Sequence, residues 1–197
     1  MITIEPNAIR ETAAGCIKTT LTEEAFQRRE VELLGPIDRE MAMSVIRQLR
    51  YLAAQEPGEP ITLLICSGGG EVVSGLAIYD AMQSISCPVR TVCVGEAASM
   101  ASILLAAGSP GERAILPNAY VMIHDPLITG YGGSALSVEA VTNRLMHTRQ
   151  NVAEILAKHT GRTVKEILKK TATDTYFGAA DAVKFGLADA VLDKWEV

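Results

Sequence analysis

"TVCVGEAASMASILLAA", residues 91–107, begins as a strand and ends as a helix. Thr91-Val92-Cys93-Val94 is β-branched and apolar, whereas Ile103-Leu104-Leu105-Ala106-Ala107 is helix-like. Between them lie small residues, one acid and one methionine, with Ser99 in the turn. A strand running into a helix through a short turn is half of a βαβ unit. Ser99 then has two readings. Its hydroxyl can cap the helix by taking a free backbone N–H. It can instead be a nucleophile, held at a sharp turn and helped by the positive end of the helix dipole. The stretch alone leaves both open.

The alternation continues outward in both directions. "VELLG" (31–35) reads as a short strand before a Gly-Pro turn. Residues 38–55 place Met41, Val45, Leu49 and Leu52 at helical spacing behind an Asp38 cap. "ITLLIC" (61–66) is a continuous apolar strand, followed by "SGGGE" and a helix over 73–84. Beyond Ser99, "AILP" and "YVMIHDP" read as strands and "TGYGGS" as a Gly-rich loop. A long helix over 137–159, a short helix, the loop "TATDTYFG", a last helix and "LADAVLD" complete the chain. The predicted fold is α/β, with right-handed βαβ units on a mainly parallel sheet covered on both faces. Residues 1–30, polar and of mixed charge, stand apart as an N-terminal segment from a domain over 31–197.

A chain of 197 residues is large enough for one domain with a substantial core. The net charge of −5, without a basic run interleaved with aromatics, argues against a nucleic-acid partner. The N-terminus lacks a basic start followed by an apolar core, so no secretory signal is expected. No apolar stretch approaches the roughly 20 residues that span a bilayer, so no membrane association and a cytoplasmic location are expected. Cys16, Cys66, Cys87 and Cys93 form no C-x-x-C pair, there is no H-E-x-x-H, and there are three histidines. Neither a metal nor a cofactor is expected.

In parallel α/β sheets, ligands gather at the carboxyl ends of the strands. Three of those ends are chemically unusual: "SGGG", "GEAASM" and "HDP". "SGGG" fits neither the dinucleotide nor the Walker pattern, but its glycines can expose backbone N–H groups and admit a substrate backbone. His124 ends its strand, where a general base could reach Ser99, while His147 and His159 read as helix-face or helix-end residues. A Ser–His pair wants a carboxylate to fix the imidazole tautomer. Asp125 should point away from its neighbour His124, and Asp174, in a loop between helices, has room to reach back. Asp181, Asp189 and Asp193 read as surface or turn residues.

"GEAASMAS" with Ser99, "MIHDPL" with His124 and "TDTYFGAADAVKFGLAD" with Asp174 together resemble the proteolytic subunit of the ATP-dependent Clp protease, peptidase family S14. Intervals of 25 residues (99 to 124) and 50 (124 to 174) are close to the family spacing, and "ITLLICSGGGEVVSGLAIYDAM" matches its strand, Gly-rich turn and helix. The resemblance covers roughly residues 31 to 193. It implies a ClpP/crotonase-type fold with a protruding handle helix at 137–159. It also implies serine endopeptidase chemistry, with Ser99 as nucleophile, His124 as base and Asp174 as its orienting acid. The backbone N–H groups of Gly70 and Met100 would form the oxyanion hole. Gly69 and the loop residues Tyr131, Gly132 and Gly133 would hold an extended peptide. The implied assembly is a pair of stacked seven-subunit rings enclosing the sites, fed with unfolded protein by a Clp AAA+ ATPase chaperone.

The sequence departs from the family pattern at several points. Gly68 stands where proline is usual and Cys66 where asparagine is usual. Thr173 and Thr175 flank Asp174 in place of charged residues that help couple the rings. Residues 1–30 do not carry the usual hairpin sequence, so the axial gate is not carried over. Thr62, Leu64 and Ser84 occupy positions where aromatics usually receive the ATPase, which points to a dedicated partner or a paralogous proteolytic subunit in mixed rings. Two rival readings remain: a non-catalytic ring subunit, and a crotonase-type acyl-CoA enzyme that uses paired N–H groups without the triad.

Overall fold

The computed structural model describes residues 6–12 and 15–194. Strands β1 (Asn7–Thr12) and β2 (Gly15–Thr20) pair antiparallel, so the N-terminal segment forms a hairpin although its sequence is not the usual one. Thr20 and Glu23 close a capping box at the start of α1 (Leu21–Gln27), each side chain bonding the other's backbone N–H. Next come β3 (Glu30–Leu34), α2 (Arg39–Gln55) with its Asp38 cap, β4 (Ile61–Ser67) and α3 (Val72–Ser84). The strand-to-helix stretch read at the outset is β5 (Val89–Ala98) followed by α4 (Met100–Ala106). Then follow β6 (Arg113–Ile115), β7 (Tyr120–Ile123), α5 (Ala135–Thr160), α6 (Val164–Thr171), β8 (Thr175–Gly178), α7 (Ala179–Phe185) and β9 (Ala190–Val191).

The sheet runs β3-β4-β5-β6-β9, all parallel, and β5 reaches past this path to a second partner. Its first half, Thr91–Cys93, pairs with β6, and its second half, Glu96–Ala98, pairs with β7. The change of partner falls around Gly95 (φ 74°), where the β4–β5 register also shifts. This bend delivers Ala98 and Ser99 to the side of β7. The segment read as the loop "TATDTYFG" ends instead in β8, antiparallel to β7. Its Tyr176 and Phe177 suit a half-buried edge, and pairing with β7 supplies the periodicity that four residues cannot reveal alone.

The main core lies between one face of the sheet and α2, α3, α4 and the C-terminal half of α5. Every residue of α4 is buried, as expected for a helix that is apolar all round. Among the described residues, the opposite face carries a small cluster of Leu64, Val92 and Ala114, with Val94 and Leu192 against it. The helices therefore do not cover both faces equally, contrary to the expectation from sequence. The first half of α5 leaves the body largely exposed; its buried residues begin at Val152. Among the described residues, no helix is long and apolar enough to cross a membrane.

Candidate active site

Ser99 occupies the cap position of α4, yet its side chain accepts no helix N–H. Its Oγ lies 2.8 Å from His124 Nε2. The backbone there has φ 53° and ψ −123°, a conformation that costs a non-glycine residue about 1–3 kcal/mol and gathers at functional sites. Three bonds hold the turn. The Ser99 N–H donates to the Met122 carbonyl at 2.8 Å, and the Ser99 carbonyl accepts from the Ser102 N–H at 3.1 Å and from Ser102 Oγ at 2.6 Å. Of the two readings of Ser99, the geometry supports the one in which its hydroxyl is committed to His124.

The Gly-rich turn after β4 crosses directly above Ser99. Gly69 has φ 90°, and a Cβ there would sit 2.7 Å from Ser99 Cβ and 3.0 Å from the Met100 nitrogen. Gly70 has φ 157° and bridges Ile37: the Gly69 carbonyl accepts from the Ile37 N–H, and the Glu71 N–H donates to the Ile37 carbonyl. In such a bridge the Gly70 N–H faces away from Ile37. Met100 is the first residue of α4, so its N–H has no acceptor within the helix. Ser67 pins the turn from below, donating to the Gly35 carbonyl at 2.6 Å and accepting from the Gly69 N–H at 3.0 Å.

His124 follows β7 directly, and β8 returns antiparallel beside it with Asp174 just before its start. His124 Nδ1 is 3.5 Å from Asp174 Oδ1, which is longer than a normal hydrogen bond. The Asp174 side chain is 59% exposed, so it stands beside the imidazole without yet gripping it. Asp125 is turned away and engaged elsewhere, taking Arg149 Nε and Thr171 Oγ1, each at 2.5 Å. A recess beside Ser99 and His124 is lined by Val72, Met100, Ile103, Ile123, Val152 and Leu156. Tyr131, Gly132 and Gly133 lie in the exposed segment before α5 and do not line this recess. Ser99, His124, Asp174, Gly69, Gly70 and Met100 are thus brought together, and the 131–133 segment lies on the path from His124 to α5.

Asp189 lies in the bend before β9, in keeping with its reading as a surface or turn residue, and it also has a structural role. It is half-buried and binds Arg113 through both carboxylate oxygens. Sequence reading also passed over Ser102, which braces the Ser99 turn locally, and over Ser67, Arg149 and Thr171, whose partners lie 24 to 46 residues away. The Clp protease family model matches residues 14–195 of this chain.

Proposed function

The chain belongs to the Clp protease family, and from that premise we propose that it is a serine endopeptidase hydrolysing peptide bonds of unfolded proteins and peptides. The observation that carries this is the turn at Ser99, whose hydroxyl lies 2.8 Å from His124 Nε2 in a helix-cap position it does not use for capping. In the mechanism, Ser99 Oγ attacks the peptide carbonyl carbon as its proton passes to His124 Nε2. The carbonyl oxygen becomes an oxyanion between the Gly70 and Met100 N–H groups. His124 then gives the proton to the departing amine, leaving an acyl-enzyme. Water, activated by His124 in turn, hydrolyses it and restores Ser99. Asp174 accepts from Nδ1–H, which holds the tautomer and stabilises the imidazolium.

Gly69 and the Tyr131–Gly133 segment would pair with the extended peptide backbone, giving affinity with little sequence preference. The working form would be seven-subunit rings stacked in pairs, in the cytoplasm. A Clp AAA+ ATPase would feed them, with a paralogous proteolytic subunit as a second potential ring partner. The experiment is fluorophosphonate labelling alongside peptide hydrolysis. Label is expected on Ser99 of the wild type, and Ser99→Ala should lose label and on the order of 10⁶ in turnover. A wild type that hydrolyses no peptide and takes no label would favour a non-catalytic ring subunit or a crotonase-type enzyme.

A further inference from the structure

Asp125 stands one residue after His124 and holds three groups from elsewhere in the fold. Its Oδ2 takes Arg149 Nε and its Oδ1 takes Thr171 Oγ1, both at 2.5 Å, while its backbone N–H donates to the Thr171 carbonyl at 2.7 Å. Thr171 is buried and is the last residue of α6, three residues before Asp174. Between them the chain is tied back on itself by Thr175 Oγ1, which donates to the Lys170 carbonyl at 2.7 Å and to the Thr173 carbonyl at 3.2 Å. Arg149 also reaches the Leu168 carbonyl of α6 at 3.4 Å. It lies one turn before Val152, where the buried half of α5 begins, and so at the root of the projecting half.

We propose that Asp125, clamped by Arg149 and Thr171, is a positioning residue for hydrolysis at Ser99, fastening the segment that carries His124 to the segment that carries Asp174. This rests on the reading of Ser99, His124 and Asp174 as a triad. The two segments are joined by two bonds between one pair of residues, Asp125 and Thr171, a backbone bond and a side-chain bond. That fixes the separation of their backbones and leaves only the Asp174 side chain to turn through the last part of the 3.5 Å gap. Charge-assisted bonds hold such geometry better than neutral ones, and both members of the ion pair are mostly shielded from water. Because Arg149 sits at the root of the projecting half of α5, any partner that shifts that half acts on the clamp first.

The direction of a pH shift separates positioning from simple electrostatics. The acid limb of kcat/KM follows the imidazole of the free enzyme. His124 has Asp174 beside its Nδ1, and its chain neighbour Asp125 carries the ion pair with Arg149. Replacing Arg149 by glutamine removes a positive charge, which by itself would move the limb to higher pH. If the clamp positions Asp174, the same change loosens the carboxylate from the imidazole and moves the limb to lower pH.

The experiment compares wild type, Arg149→Gln, Arg149→Lys, Thr171→Val and the double variant Arg149→Gln/Thr171→Val on a short chromogenic peptide. Rates are divided by the number of sites that fluorophosphonate finally labels, so that unfolded protein does not count. Arg149→Gln and Thr171→Val are expected to lower kcat about 10- to 100-fold, the scale of a misplaced catalytic group, with KM nearly unchanged. The double variant should lose little more than either single, and Arg149→Lys should recover part of the loss. The acid limb should move to lower pH in both single variants. Label at Ser99 with an unshifted or upward-shifted limb and fully additive losses overturns the clamp alone. Absence of label at Ser99 in the wild type overturns the triad and the clamp together.

Discussion

A Cβ on Gly70 would meet the Ile37 carbonyl oxygen at 2.2 Å, and one on Gly69 would meet the Ala98 carbonyl oxygen at 2.6 Å. Both obstacles are backbone, so neither yields by a rotamer change. Gly70→Ala is expected to push the turn away from Ile37 and misaim the Gly70 N–H, lowering peptide turnover about 10²- to 10³-fold, as for loss of one oxyanion donor. Gly68 differs from both. A Cβ there would meet only Glu96 Oε1, at 3.8 Å. Gly68→Ala should therefore raise stability by about 0.4–1 kcal/mol through the unfolded chain, with turnover retained; denaturant midpoints and steady-state rates read both variants. Asp174→Asn presents the wrong hydrogen-bonding partner to His124 Nδ1 and is expected to cost about 10⁴ in turnover. A rate within tenfold of wild type would mean that another group orients the imidazole.

Three helices end on one side chain. Arg113 Nη1 donates to the carbonyls of Ala106, His159 and Gly186, the C-terminal ends of α4, α5 and α7, where carbonyls have no helical partner. Asp189 neutralises the guanidinium and takes the backbone N–H groups of Gly111 and Arg113 as well. Arg113→Ala would leave a carboxylate and several carbonyls unsatisfied and should cost about 3–5 kcal/mol, measured by urea unfolding. The same region makes the fold acid-sensitive. Burial, with Lys158 and Arg113 nearby, pushes His159 from an ordinary 6.5 down to about 4. Between those values the unfolded chain binds a proton that the folded chain refuses, so stability falls as pH falls through that window. The bond to Arg113 holds the Asp189 carboxyl below its usual range; its contribution is full above pH about 4 and is lost on further acidification. Thermal melts across about pH 7 to 4.5 should show a smaller decline for His159→Gln than for the wild type.

In the single protomer, Asp174 and the first half of α5 meet solvent. Leu136 is 77% exposed on the projecting half of α5, with Val138 and Met146 also exposed, and Leu127 and Ile128 precede them. Apolar residues left out in this way mark contact surfaces. If stacking of rings orders this region and the exposed Asp174 side chain, hydrolysis should track the double ring. Size-exclusion fractions assayed separately test this, and a fully active single ring or monomer would refute it. A second expectation concerns the ATPase. Thr62 and Leu64 lie in β4 and Ser84 ends α3, and none offers the aromatic anchor whose truncation at such interfaces often costs about 2 kcal/mol or more. Repeated around a ring, these losses should weaken multivalent docking. Rings of this subunit alone, given a common Clp ATPase and ATP, are expected to degrade an unfolded protein poorly. Efficient processive degradation would show that other surfaces supply the docking energy.

The order of strands and helices was legible in the chain because each element declares itself locally: the apolar run of β4, the spacing Val45-Leu49-Leu52 in α2, the Asp38 cap. The same locality made Ser99, His124 and the "SGGG" turn stand out at strand ends. The stretch around Ser99 by itself did not say whether the serine caps α4 or faces His124. The three motifs taken together pointed to a nucleophile, and the approach to His124 depends on β5 leaving β6 for β7 at Gly95. Strand geometry already set Asp125 aside in favour of Asp174, but its partners Arg149 and Thr171, 24 and 46 residues away, were not legible. The strand β8 and the N-terminal hairpin exist through pairing partners, and their own short sequences carry too little periodicity to announce them. Local propensity and hydrophobic spacing therefore determined the elements and their order. Only the tertiary structure decided the hydrogen-bond partners, since a distance of 2.8 Å between residues 25 apart is set by strand register and side-chain packing.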